Sequence, residues 1–415
     1  MSASDDLFSK RKSEAPGTVH LQSLDKKFRL DMDAHVEELG ELRVLEFFSG
    51  IGGLHYGLEL AAASLGRALK LVASFDINEN ANSCYAHNFG IKPSVIGIEF
   101  LNKAKLDSFK ANCWLLSPPC QPYTAGGKML DDEDNRAAGL INLIAQLKVL
   151  ETPPQYFFLE NVPNFEASRS RERLVNTLDD LGYKISEFLV SPLQFGMSND
   201  RRRYYLCASR TGSHAKTTRY IDQAQIHTQW PIPGVSMIQN YPEPPMLMRY
   251  LEDLADPSQY MVPPEYILKR KGFRFDIVQP TDSRCSTFTK AYGTHHVVGS
   301  GSFLQTQNLE QTYDLNDPEA LLTLGLRFFT PTEVARLHFF PVDRPNTLHE
   351  YDDLIEAADS VESPVEIEKH TLDFPRKLSI QQQWKLLGNS LNVKVVGTLM
   401  RDVMLKGKQA QSKRQ

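Results

Sequence analysis

The chain has 415 residues, with 46 Lys and Arg against 51 Asp and Glu, a formal net charge of −5, 41% hydrophobic residues and 23% charged residues. That balance excludes collagen-like, disordered and disulfide-scaffold classes, and it leaves room for one large domain or two smaller ones with real cores. Five cysteines, an odd number, point to free thiols in a reducing compartment, cytoplasmic with nuclear access open. No apolar run approaches the roughly 18 residues that cross a bilayer, and the polar start, Met1 to Lys12, lacks the apolar core of a secretion signal. A mildly acidic chain is a poor first guess for a nucleic-acid partner.

Residues 1–40 read as a polar extension. Order is predicted to begin with an apolar strand at Leu42–Phe48, followed by the turn Ser49-Gly50-Ile51-Gly52-Gly53 and a helix over Leu54–Leu69. A strand at Leu71–Phe75 ends on Asp76, and a helix follows over Asn80–His87. Then come a buried strand at Cys113–Leu116, a helix at Leu140–Leu150, and strands at Tyr156–Leu159 and Arg203–Ser209. Apolar strands alternating with helices predict an α/β fold: a doubly wound, mostly parallel sheet covered on both faces. Residues 41–210 form its larger domain in this reading. Residues 211–330, where the alternation fades, form a smaller second domain. Residues 331–404 return to the larger domain; they open on the helix start Thr330-Pro331-Thr332-Glu333 and end in a helix from Gly388-Asn389-Ser390 to Met404. An acidic insertion at 350–368 and a basic tail at 405–415 complete the chain.

The turn after the first strand presents backbone N–H groups to a ligand, and its glycines let that ligand come close. Asp76 ends the second strand 23 residues after Gly53, where an acid can hold ribose hydroxyls. The turn has no strict G-x-G-x-x-G. It suits a nucleoside without a pyrophosphate, such as S-adenosylmethionine, better than a dinucleotide.

Ser117-Pro118-Pro119-Cys120-Gln121-Pro122 is the most unusual segment. Three prolines fix φ and remove donors, so a rigid loop follows the buried strand and holds Cys120 at the sheet's C-terminal edge. A cysteine held there is a natural nucleophile, whereas Cys84, Cys113 and Cys207 read as small core residues. Glu160 also sits at a strand end, and alternation places Arg201 and Arg203 on one face with Arg202 on the other. A thiol, a carboxyl and paired guanidinium groups match attack on a pyrimidine ring. The thiolate adds to C6, the acid meets N3, and the activated C5 takes a methyl group from a sulfonium donor.

Phe48-Ser49-Gly50-Ile51-Gly52-Gly53, Pro118-Pro119-Cys120-Gln121-Pro122, Glu160-Asn161-Val162, Gln194-Phe195-Gly196 with Arg201-x-Arg203, and Gly388-Asn389-Ser390 occur in this order. Together they resemble the cytosine-5 methyltransferases over Leu42–Arg210 and Asp276–Met404. Within that class the chain looks most like the DNA methyltransferase-two branch, through Glu160–Glu166, Gln279-Pro280-Thr281, Phe288–Gly293 and Leu386–Val393. The resemblance implies a Rossmann-like class I methyltransferase fold and transfer to cytosine C5 in tRNA, in the anticodon loop of aspartate tRNA. It implies Cys120 as nucleophile, Glu160 as the N3 partner, and Arg201 and Arg203 as support. It places S-adenosylmethionine against Phe48, Ile51, Gly52, Gly53, Asp76, Ile77, Ile98, Glu99, Ser117, Asn389 and Ser390. One departure stands out: the branch carries Cys-Phe-Thr where this chain has Thr287-Phe288-Thr289, with Cys285 two residues earlier.

The target base must leave its stack to meet Cys120, and a loop cytosine is easier to expose than one in a duplex. Candidate substrate contacts are Lys269, Arg270, Lys271, Arg274, Thr287, Lys290 and Tyr292, with His295, His296 and the basic tail. His295-His296 has no third ligand at metal spacing. Two other readings compete: a DNA cytosine-5 methyltransferase, and a non-catalytic nucleic-acid-binding protein that keeps the fold. Residues 350–368 hold eight acids and no Lys or Arg, so the rest of the chain is slightly basic. That fits a shape-led RNA contact with a shallow salt dependence.

Overall fold

The protein is described here from a computed structural model covering residues 40–124, 130–210, 225–270, 272–294, 300–314, 316–342 and 370–405. The acidic insertion 350–368, the polar extension up to residue 39, the tail from 406, and Lys271, His295 and His296 lie outside the described residues. A six-stranded sheet carries the fold: β1 (Leu42–Phe47), β2 (Leu69–Phe75), β3 (Cys113–Leu116), β4 (Tyr156–Asn161), β5 (Tyr183–Val190) and β6 (Arg203–Arg210). Their order across the sheet is β2-β1-β3-β4-β6-β5. The pairs β1–β2, β1–β3 and β3–β4 are parallel, while β6 runs antiparallel to both neighbours. The expected mostly parallel sheet is present, with one strand reversed.

Every residue of β3 and β4 is buried, as strands covered on both faces require. Alternation divides their side chains between two layers. On one face Cys113, Leu115 and Phe158 pack with helix α1 (Gly53–Ser64). On the other, Trp114, Leu116, Phe157 and Leu159 pack against α3 (Ala138–Leu147) and α4 (Arg169–Asp180). Helix α2 (Glu79–Phe89) follows β2, with Asn78 as its N-cap. Helix α1 stops at Ser64, short of the expected Leu69, because β2 already begins there.

Sequence periodicity gave no sign of β5 or α4. Helix α4 reads RSRERLVNTLDD and buries only Leu174 and Leu178 among its apolar residues. Strand β5 carries Lys184 and Glu187, which break its apolar pattern; Glu187 is buried because Arg171 and Tyr204 bind it.

From Leu247 onward the described residues build a second aromatic core with little sheet, β7 (Ile277–Val278) paired parallel to β8 (Phe303–Leu304). Phe288, Tyr292, Phe303, Phe328 and Phe329 pack there with Trp384. Thr330 starts α5 (Pro331–Leu337) through a full capping box with Glu333, as its sequence predicts.

The expected helix opening at Gly388-Asn389-Ser390 is corrected. These residues end α6 (Ile380–Gly388), which starts from a Ser379–Gln382 capping box. The final helix α7 (Val393–Leu399) starts later, because Asn392 caps it by accepting from the Val395 N–H at 3.1 Å. Met400–Leu405 continue as a π-helical turn. Residues 389–392 are therefore a loop between helices.

Candidate active site

Four parallel strands end on one edge, and each delivers a loop there. After β1 comes Phe48–Gly53; after β2, Asp76–Asn78; after β3, Ser117–Gln121. Strand β4 ends in Glu160–Asn161. Because β6 is reversed, its beginning lies at the same edge: Asn161 registers with Tyr204 and Glu160 with Tyr205. Arg203, one place further, thus meets Glu160. These loops surround a cavity of about 560 Å³. Ligands bind at this edge in open α/β sheets.

One end of the cavity fits a nucleoside. Asp76 Oδ2 accepts from the Gly50 N–H at 2.8 Å and Oδ1 from the Asn78 N–H at 2.8 Å, so its carboxylate joins the first two loops. Burial raises its pKa, against the lowering effect of these N–H groups. Ile77 lines the cavity with 75% of its surface exposed, an apolar face awaiting a flat partner. Ile51, Ile98, Glu99 and Ser117 also line it, and the buried Ser49 Oγ has no hydrogen-bond partner. An acid for hydroxyls, an apolar wall for a base and an unsatisfied hydroxyl form a donor set that fits a ribonucleoside.

Gly52 does not line the cavity. Its φ is +86°, and a Cβ there would lie 2.4 Å from the Phe89 ring. It shapes the turn from behind. Phe48 and Gly53 do line the cavity, as do Asn389 and Ser390 from the α6–α7 loop. That loop is pressed against the Thr289 backbone: a Cβ on Gly388 would fall 2.2 Å from the Thr289 carbonyl carbon.

The other end holds Cys120, Glu160, Arg201 and Arg203. Cys120 is partly exposed, and the Tyr123 N–H donates to its carbonyl at 3.0 Å. Asn161 Nδ2 donates to the Pro118 carbonyl at 3.3 Å, fixing the proline loop to β4. Glu160 receives the Ser117 hydroxyl at 2.9 Å and lies 3.7 Å from Arg203 Nε. Burial raises its pKa; Arg203, Arg201 and Ser117 oppose this only in part. The carboxyl therefore holds its proton more strongly than an exposed glutamate.

The two arginines differ. Arg203 faces Glu160. Arg201, 2% exposed, donates Nη1 to the Phe288 carbonyl at 2.6 Å and Nη2 to the carbonyls of Gly388 (3.0 Å) and Ser390. Burial, then repulsion from Arg203, lowers its pKa to about 9. Arg201 is a clamp between three chain segments.

Among the described residues, none of the expected substrate contacts lines the cavity. Lys269, Arg274 and Lys290 are exposed; Arg270 sits 5.8 Å from the Phe273 ring centre. Tyr292 is corrected: it is 1% exposed, and its hydroxyl donates to the Ser302 carbonyl and accepts from the Phe329 N–H, each at 2.8 Å. Its aromatic ring belongs to the core. Thr287 Oγ1 donates to the Asp200 carbonyl at 2.7 Å, and Cys285 is fully buried beside Ser198 and Asn199.

Sequence reasoning missed Asn78 and Arg136, both lining the cavity. Arg136 is held by Asp134 through two hydrogen bonds of 2.9 and 2.6 Å. Nothing local marks it. Asn161 carried a signal, its place beside Glu160, without an assigned role.

Residues 42–357 match the family model of the C-5 cytosine-specific DNA methylases, and the chain belongs to that family. It is 35% identical to a DNA (cytosine-5)-methyltransferase of Dictyostelium discoideum, covering 87% of this chain and 94% of that one. It is 34% identical to the tRNA (cytosine(38)-C(5))-methyltransferase of Schizosaccharomyces pombe, with 86% and 96% covered. The crystal structure of the S. pombe Dnmt2 methyltransferase superposes with a TM-score of 0.66 at 32% identity, over 87% of this chain and 98% of that one.

Proposed function

We propose that the protein transfers a methyl group from S-adenosylmethionine to C5 of a loop cytosine in tRNA, with position 38 of aspartate tRNA as the first candidate. The observation that carries this reading is one cavity with Asp76 and Ile77 at one end and Cys120, Glu160 and Arg203 at the other. Its nucleoside end would take the cofactor, which supplies an electrophilic methyl group when bound. Cys120 adds as thiolate to C6 of the flipped base. Glu160, whose hold on a proton burial strengthens, donates to N3 and draws charge from the ring as C5 becomes nucleophilic. Arg203 orients Glu160, and Arg201 holds the surrounding loops. After C5 takes the methyl group it loses its proton, and elimination of the Cys120 thiolate restores the ring.

Relatives named as tRNA (cytosine(38)-C(5))-methyltransferases from yeast and human support tRNA as the partner. The exposed Lys269, Arg274 and Lys290 are the proposed phosphate contacts, within a recognition region at 211–330. A second reading, methylation of DNA, is favoured by the Dictyostelium relative's name. The reading extends to a reducing compartment, cytoplasmic or nuclear, where Cys120 stays a thiol. Bisulfite sequencing of total tRNA and of duplex DNA, each incubated with protein and methyl donor, tests it. A single modified tRNA loop cytosine is expected; modified duplex DNA with unmodified tRNA would reverse the assignment. Covalent trapping on 5-fluorocytosine RNA tests the adduct, and its absence would favour a binding protein that keeps the fold.

A further inference from the structure

A chain of buried titratable groups runs behind the cofactor loop, outside the chemistry above. Glu46, two residues before Phe48, is fully buried on β1, and its Oε2 lies 2.8 Å from the Tyr85 hydroxyl of α2. That hydroxyl lies 2.9 Å from His55 Nδ1 on α1. His55 Nε2 is 3.5 Å from Glu59 Oε1, one helical turn on, and the same oxygen is 2.6 Å from His370 Nδ1. Glu46, His55, Glu59 and Tyr85 are all buried; His370 is partly open. Residues 370–373 are sewn as a strap to the same two helices: the Thr371 carbonyl accepts from the Tyr56 hydroxyl at 3.2 Å, and Asp373 meets His87 at 2.9 Å.

Along these contacts the donors admit two arrangements. In the first, a neutral Glu46 donates to Tyr85, Tyr85 donates to His55 Nδ1, and the His55 Nε2–H and His370 Nδ1–H both face the Glu59 carboxylate. In the second, Tyr85 donates to an ionised Glu46, the His55 Nδ1–H donates to Tyr85, and a protonated Glu59 faces the bare Nε2. Going from one to the other breaks three O–H or N–H bonds and forms three. One proton leaves Glu46 and one arrives at Glu59.

We propose that Glu46, Tyr85, His55, Glu59 and His370 form a buried positioning relay that links the charge held in the cofactor pocket to the strap at 370–374. The link rests on the reading of the pocket as a sulfonium-nucleoside site. Glu46 is faced by Tyr85 and His55 from the helices, by Asp76 at the end of β2, and by Glu59. Its registered partners on β2 and β3 are Ser74 and Leu115, neither of them charged. Burial pushes the Glu46 carboxyl up to about 8, and both Asp76 and Glu59 add to the rise. Burial also lowers His55 to about 3, so its ring is neutral and carries one proton. A cation entering the pocket favours ionised Glu46. The proton moves along the chain to Glu59 and from there to solvent at the partly open His370 end. A neutral thioether nucleoside leaves the first arrangement in place.

Calorimetric titration of the whole protein with S-adenosylmethionine and with S-adenosylhomocysteine, in buffers of different ionisation enthalpy at pH 7.5, reads the protons released. The wild type should release a larger fraction of a proton with the sulfonium than with the thioether. E46Q should bind both and make the two values equal. Y85F, which removes the middle hydroxyl, should also equalise them, and should abolish the cofactor-induced change in amide exchange at Leu372 and Asp373. Equal release in the wild type, or a difference that survives in E46Q and Y85F, overturns the relay. Failure of the wild type to bind either nucleoside overturns the function reading itself.

Discussion

Between Leu42 and Asn161 the chain brings chemistry to the cavity as side chains on loops that follow parallel strands: Asp76, Cys120 and Glu160 each stand at a strand end. Between Leu247 and Phe340 it brings backbone. The Phe288 carbonyl holds Arg201, and the Thr289 backbone presses on Gly388. The first region supplies reactive groups, and the second sets the distances between them. A change in the first should therefore alter the rate in a stable protein. A change at the junction should alter stability and rate together.

The sharpest test of the first half is C120A. Methyl transfer should fall by about four orders of magnitude or more, with cofactor affinity and melting temperature unchanged, in a single-turnover assay. E160Q should lower the rate by about 10²-fold with cofactor binding intact. It also carries a pH signature. A carboxyl raised in the folded state adds stability below the ordinary carboxylate range and loses it as pH rises through the raised value. E160Q should therefore lose the Glu160 share of the decline in melting temperature with rising pH; an unaltered pH profile would remove that role.

R201A probes the junction. It leaves three carbonyls without their donor, and should cost about 3 kcal/mol in chemical denaturation as well as activity. R203A should keep most of the stability and lose rate. Similar stability losses for the two would erase the distinction between them. The smallest effect belongs to Y292F, which removes the donor to the Ser302 carbonyl and the acceptor of the Phe329 N–H. It should cost about 2 kcal/mol and leave tRNA binding untouched.

The legible parts of the fold share a physical cause. Strands buried on both faces must be apolar, so β1, β3 and β4 stand out; the proline loop and the glycine turn stand out because few other structures tolerate them. Helix α4 and strand β5 were silent because charged residues cover them, and their buried Glu187 is held by partners from α4 and β6. Glu160 and Asp76 were legible from their strand ends, and Cys120 from the prolines that frame it. Phe48, Ile77, Ile98, Glu99, Ser117, Asn389 and Ser390 came through family resemblance, and all of them line the cavity. Tyr292 was misplaced because an aromatic beside Lys290 reads as a stacking residue, and only the three-dimensional core shows its hydroxyl spanning two backbone segments. Arg201 and Arg203 looked alike in sequence; what separates them is a carbonyl cluster assembled from residues 288, 388 and 390.

The α6–α7 loop gives the site a place in time. The glycine turn leaves the ribosome early, but the wall opposite it, Asn389 and Ser390, is made some 340 residues later. At synthesis rates of about 5–20 residues per second, that interval is roughly 20 to 70 s. For most of it the nascent chain carries the glycine turn and Cys120 without the wall that completes the cavity. The growing polypeptide thus lacks one wall of the cavity until α6 and α7 are released.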